Sequence, residues 1–145
     1  FQNDVGLLAC QYSNGMQLKL LMDEVNINYG GIYENFAAQE LHAHGFDLYY
    51  FNSKSQGEID FVVEHKERIL PIEIKSGKDY TRHSAMDNVL ANQEYEIPEA
   101  YVFCQDNVSV KERISYFPIY MLMFLQRTSG LGPDSVYKLD LSGLN

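Results

Sequence analysis

The chain has 145 residues, 46% of them apolar and including 11 Tyr and 8 Phe; it fits one domain that buries about two thirds of its unfolded surface and is not a disordered chain. Its formal net charge of −9 argues against strong nonspecific binding to nucleic acid, which depends on Lys and Arg neutralising phosphates. It shows no signal-peptide pattern, its longest late apolar run (residues 119–125) is too short to cross a bilayer, and a cytoplasmic protein is the default expectation.

Residues 1–29 read as two short helices, 4–10 and 14–24, with Asn14 the N-cap ahead of Met16, Leu18, Leu20 and Leu21. A helix over 32–44 follows. Its Ile32, Phe36, Ala37 and Leu41 form an apolar stripe, Gly30 and Gly31 precede it, and Gly45 ends it. Glu34 lies off that stripe near the helix N-terminus, where a carboxylate complements the dipole with no other role required. Residues 48–52 make a first strand and 53–57 a polar turn.

The stretch 57–75, GEIDFVVEHKERILPIEIK, carries the chemistry. Ile59, Phe61 and Val63 alternate with Glu58, Asp60 and Val62, and Ile72 and Ile74 alternate with Pro71, Glu73 and Lys75. This period-2 pattern predicts two strands, with Glu58 and Asp60 sharing a face of the first and Glu73 and Lys75 sharing a face of the second. A two-residue turn at Lys66 and Glu67 sets Asp60 directly across from Glu73. Opposed side chains lie about 5 Å apart at Cβ, so like charges there repel. A hard divalent cation takes both carboxylates as ligands and removes the repulsion. The alternative is a salt-bridge network in which Lys75 holds the two acids together. Both depend on register, because a one-residue slip sends Asp60 and Glu73 to opposite faces.

After Lys75, a Gly-containing turn leads to a helix over 81–93 with Ala85, Met86, Val89 and Leu90 inward. Lys78, Arg82 and His83 gather at its start, either as a phosphate site or as a solvated charge run. Ser76-Gly77-Lys78 echoes the end of a nucleotide-binding loop, but Ile72 and Asp79 stand where Gly and Ser or Thr are needed, so no ATP site is expected. A strand over 99–105, a turn at Asp106-Asn107 and a short strand over 108–111 come next. Pro118 opens a final helix through 126, with Ile119, Leu122, Met123 and Leu125 as core contacts. A strand over 135–141 closes the chain. Cys10 and Cys104 lack metal-ligand spacing, and Cys104 is expected reduced in the core. The charge is uneven: residues 46–83 hold six Lys or Arg against seven Asp or Glu, so most of the excess acid lies in the flanks.

Asp60, with Glu73 and Lys75 flanking one apolar residue, resembles the PD-(D/E)xK nuclease superfamily, although Ile59 stands where the Pro of that name would be. Gly30, Glu34, Leu41 and Gly45 match a helix found in junction-resolving members. NDVGLLA, YENFAAQEL, YYFNSKSQGEIDFV, PIEIKSGKDY and FPIYMLMFL together resemble the C-terminal domain of a prokaryotic family of AAA-type ATPases, catalogued as domain of unknown function 4143. The resemblance implies an α/β fold with a restriction-endonuclease-like core (helix, three-strand meander, helix, strand) and extra N- and C-terminal helices. It implies that residues 1–29 are a helical junction to a preceding ATPase module and 30–145 the nuclease-like domain. It further implies Mg²⁺ or Mn²⁺ held by Asp60, Glu73, the Ile74 carbonyl and Glu34, with Lys75 completing a catalytic set of Glu34, Asp60, Glu73 and Lys75. Lys75 is expected to stabilise developing charge rather than act as base, since its ordinary pKa is about 10.4. Expected partners are nucleic acid, DNA foremost, the ATPase module and further copies of the chain, with no membrane. The rival expectation is a noncatalytic regulatory or oligomerisation module of that ATPase.

Overall fold

The computed structural model describes residues 1, 4–12 and 29–127. In chain order these form α1 (Val5–Tyr12), α2 (Gly30–Ala43), β1 (Tyr49–Ser53), β2 (Gly57–His65), β3 (Arg68–Ile74), α3 (Ser84–Ala91), β4 (Ala100–Cys104), β5 (Ser109–Lys111) and β6 (Ile114–Pro118), with 3₁₀ turns at Gln93–Tyr95 and Ile119–Phe124. The strands make one six-stranded mixed sheet in the order β1-β2-β3-β4-β6-β5. Strands β1 to β3 are an antiparallel meander, β4 and β6 run parallel to β3, and β5 lies antiparallel on β6 at the edge. The fold is therefore α/β, and from α2 to β4 the elements run helix, three strands, helix, strand. Among the described residues no helix is long and apolar enough to cross a membrane.

The β2–β3 turn sets the register. Lys66 and Glu67 have φ of 52° and 61°, both in the left-handed region. Two such residues make the tight turn whose twist matches a hairpin, a geometry that Asn-Gly adopts with less strain. Pairing then runs from His65↔Arg68 to Phe61↔Ile72, the register expected from the alternation.

Between β2 and β1 the alternation breaks. Tyr49 pairs with Val62 but Phe51 with Ile59, so β2 carries one extra residue across from Tyr50. Such a bulge re-aims side chains and inverts which face they share. Phe61 and Val63 accordingly pack in the core beneath α2, with Ala37, Ala38 and Leu41. Ile59 packs on the opposite face, with Ala85, Met86 and Val89 of α3. Simple alternation put Ile59, Phe61 and Val63 on one face, and the bulge corrects that. Strand β4 serves both cores, Phe103 facing the first and Val102 and Cys104 the second. Gly57 opens β2 at φ +99°, where a Cβ would meet that of Ala85 at 2.8 Å, so this close seat of β2 on α3 requires glycine.

Three expectations shift. Helix α3 begins at Ser84 rather than 81, because residues 79–82 close a turn by the Arg82 N–H to Asp79 O hydrogen bond at 3.2 Å. Strand β6 was not anticipated, although Ile114, Tyr116 and Pro118 alternate as buried positions; Pro118 ends this strand instead of opening a helix. The apolar run after it is a 3₁₀ stretch, Ile119–Phe124. The helix expected at 14–24 and the strand at 135–141 lie outside the described residues, as does much of the junction expected over 1–29.

Candidate functional site

One step beyond Phe61↔Ile72, the hairpin register brings Asp60 level with Glu73. Here the ladder opens, with the bulge on one side and the parallel strand β4 on the other. Asp60 Oδ2 accepts the Ile74 backbone N–H at 2.7 Å. Lys75 Nζ donates to Glu73 Oε1 at 2.7 Å, and its own backbone N–H donates to Phe103 O at 2.8 Å, which fixes the end of β3 against β4. Glu73 is 7% exposed, and among the described residues its Oε2 is buried without a hydrogen-bond partner. Glu34, in the first turns of α2, meets Asp60 across a cavity of about 220 Å³ that Glu58, Leu48, Tyr49 and Tyr50 also line.

The electrostatics follow from that crowding. Burial pushes the Asp60 carboxyl up from 3.8 to about 7, and repulsion from Glu73 adds to it. Glu34 raises it further, while the Ile74 N–H and, more weakly, Lys75 pull the other way. Among the described residues Lys75 is the one cation bonded into the group, so the salt-bridge alternative accounts for Glu73 Oε1 but gives no cationic bond to Oε2 or to Asp60. His44 Nδ1 and His65 Nδ1 are also buried without partners, but each is a lone ring nitrogen away from the cavity.

The donor set fits a hard divalent cation. Its oxygens are hard ligands, one buried carboxylate oxygen is spare, and the carboxylates exceed the cations. Among the described residues, no three His, Cys, Asp or Glu side chains converge closely enough to hold a metal ion by themselves. The fit is thus to an ion of the Mg²⁺ type, which keeps several waters and takes one or two carboxylates. Asp60 and Glu73 are the two that could serve such an ion. Glu34 faces Asp60 from the far side of the cavity and acts there through its charge.

Lys78 and Arg82 are exposed in the segment between β3 and α3. Tyr80 anchors that segment by donating to Asp106 Oδ2 at 2.6 Å and by packing edge-on against Tyr116, with ring centroids 5.8 Å apart. His83 is 7% exposed, with Nδ1 3.1 Å from Asp87 Oδ1 and Nε2 2.6 Å from the Tyr116 hydroxyl. Neither ring nitrogen is open to a phosphate, so His83 leaves the set of phosphate contacts expected from the sequence; burial and its two partners are the reason.

Of the expected catalytic set, Asp60 of β2 lies close enough to Glu73 of β3, Glu34 of α2 and Lys75, just past β3, for their charges to act on it, and Lys75 bonds Glu73. Sequence reasoning overlooked Glu58, Tyr49 and Tyr50. Glu58 shares the alternation of Asp60 and was legible, whereas the two tyrosines reach the cavity through a bulge that no residue pattern announces.

The family model described as a domain of unknown function (DUF4143) matches residues 29–122, a span that holds every site residue above. No curated protein and no solved structure matches the chain.

Proposed function

The chain belongs to the DUF4143 family, a domain of unknown function, and we propose from its own residues that it is a nuclease-like domain, dependent on Mg²⁺ or Mn²⁺, that acts on nucleic acid, DNA foremost. The observation that carries this reading is the partly compensated carboxylate pair: among the described residues Glu73 Oε2 is buried without a partner, beside an Asp60 carboxyl raised to about 7. Like charges crowded in a buried place are costly unless something is meant to bind there.

Asp60, Glu73 and the Ile74 carbonyl would hold the cation. Bound there, it would supply a Lewis acid for a phosphodiester and make water a competent nucleophile at neutral pH. Lys75, bonded to Glu73 Oε1, keeps a positive charge at the site's edge, where negative charge builds on a transferring phosphoryl group. Glu34 faces Asp60 across the cavity and helps to orient water there. Lys78 and Arg82, exposed beyond β3, receive neighbouring phosphates.

The order helix, meander, helix, strand from α2 to β4 supports a restriction-endonuclease-like core, and the five matching segments support a place behind an AAA-type ATPase module in a cytoplasmic protein. The test is cleavage of a panel of branched, nicked and single-stranded DNA with Mg²⁺ or Mn²⁺. Lys75→Ala abolishes cleavage and stays folded, losing about 1–3 kcal/mol because it bares the buried Glu73 Oε1; unchanged cleavage in that variant refutes the catalytic assignment.

A second reading, a noncatalytic regulatory or oligomerisation module, is favoured by Tyr120, Met123 and Phe124, which expose 62%, 51% and 68% of their surface after β6. Concentration-dependent association lost in Phe124→Ser, with no cleavage of any panel member, supports that reading over the first.

A further inference from the structure

Tyr49 and Tyr50 are 64% and 74% exposed at the edge of the sheet, beside the carboxylates. Both line the same cavity of about 220 Å³ as Glu34 and Asp60. Neighbours in a regular strand face opposite ways, but the register slips between Tyr49 and Phe51, which sets Tyr50 across from both Asp60 and Phe61. The chain therefore displays these two large rings, with Phe1 as a third exposed ring on the same cavity, next to its acidic group, where a protein concerned only with stability would bury them or replace them with polar residues.

We propose that Tyr49 and Tyr50 are a stacking platform for unpaired bases, so that the site takes single-stranded nucleic acid ahead of duplex. This rests on the metal-dependent reading above. Every base has a π-face, and an exposed tyrosine offers a contact that tolerates any sequence. Within a duplex those faces are covered by neighbouring bases.

Charge points the same way. Duplex affinity rests chiefly on neutralising a dense row of phosphates. Near this site Lys75, Lys78 and Arg82 stand against Glu34, Glu58, Asp60 and Glu73, in a chain of net charge −9. Even with a bound divalent cation, that is too little positive charge to hold a duplex. A single strand has a lower charge density and gains stacking instead. The cavity matches one base-sized ring rather than a paired helix. The chemistry recognised is an unpaired base beside a phosphodiester, which DNA and RNA share.

The test uses the full chain in Ca²⁺, a hard cation of the same charge, and fluorescence anisotropy of a labelled oligothymidylate, an oligouridylate of equal length and a matched duplex. Either single strand binds about tenfold or more tightly than the duplex. Tyr50→Ala weakens single-strand binding about tenfold and leaves duplex binding where it was, while Tyr50→Phe keeps the wild-type affinity because stacking uses the ring and not the hydroxyl. Duplex bound as tightly as the single strands, or Tyr50→Ala binding like wild type, overturns the proposal. Calorimetry with Ca²⁺ or Mg²⁺ alone separates the two possible failures. Calcium heat in wild type without single-strand preference overturns the stacking platform only, and no heat in wild type with either Ca²⁺ or Mg²⁺ overturns the metal site beneath it.

Discussion

His83 and Glu73 are equally buried, each 7% exposed, and differ in what surrounds them. His83 sits between Asp87 and Tyr116 with both ring nitrogens bonded, and through Tyr116 and Tyr80 it ties the segment before α3 to β6. Glu73 has Lys75 on one oxygen and, among the described residues, no partner on the other, with a second carboxyl beside it pushed up to about 7. A buried polar group with all its partners fastens a fold, and one left short costs about 1–3 kcal/mol. The first arrangement is complete among the described residues, whereas the second has a place left for the cation proposed above.

Substitutions at the two clusters should therefore move stability in opposite directions. The largest effect is expected at the complete one: His83→Ala leaves the buried Tyr116 hydroxyl without its partner and opens a void, at a cost of about 3 kcal/mol in denaturant unfolding. Asp60→Asn goes the other way. The folded Asp60 pKa of about 7 lies above its ordinary 3.8, so the folded chain retains a proton that the unfolded chain sheds. That advantage is complete below about pH 4 and is lost as pH climbs through 7. At pH 8 the metal-free Asn variant is more stable than wild type by on the order of 2 kcal/mol, about half of what an isolated shift of this size gives, because Asp60 is part-exposed. At pH 5 the gap narrows, and a wild type equally stable at both pH values would break the comparison.

Smaller effects sharpen it. Lys66→Asn with Glu67→Gly relaxes two left-handed residues at the far end of the same hairpin and adds about 1 kcal/mol, without changing the pH response of the Asp60 end. Lys78→Ala and Arg82→Ala change stability by less than about 0.5 kcal/mol. Each is expected to lower the slope of log affinity against log salt for a single strand by about 0.7, which salt titration of oligothymidylate binding measures.

Much of this was legible because the informative patterns are local. Alternation plus a two-residue turn gave the β2–β3 register, and that register alone brings Asp60 level with Glu73. Glu34 came from the helix pattern Gly30, Glu34, Leu41, Gly45, not from its own position, since a carboxylate in the first turns of a helix is common. What escaped depends on contacts distant in sequence. The β2 bulge arises from pairing with β1, so Ile59 changed face and Tyr50 joined the cavity without a mark in the residue pattern. His83 looked like a phosphate contact among its basic neighbours Lys78 and Arg82, because Tyr116 lies 33 residues away. Strand β6 was hidden by Pro118, which serves equally at the end of a strand and at the start of a helix.

The most direct measurement is calorimetric titration of Mg²⁺ into metal-free wild type and Asp60→Asn at pH 8, repeated at pH 6. Wild type takes up Mg²⁺ with measurable heat and binds it more weakly at pH 6, where the Asp60 proton must first be displaced, while Asp60→Asn binds at least about tenfold more weakly at pH 8. Equal binding by the two chains, or no binding by either, contradicts the claim that Asp60 and Glu73 form a cation site.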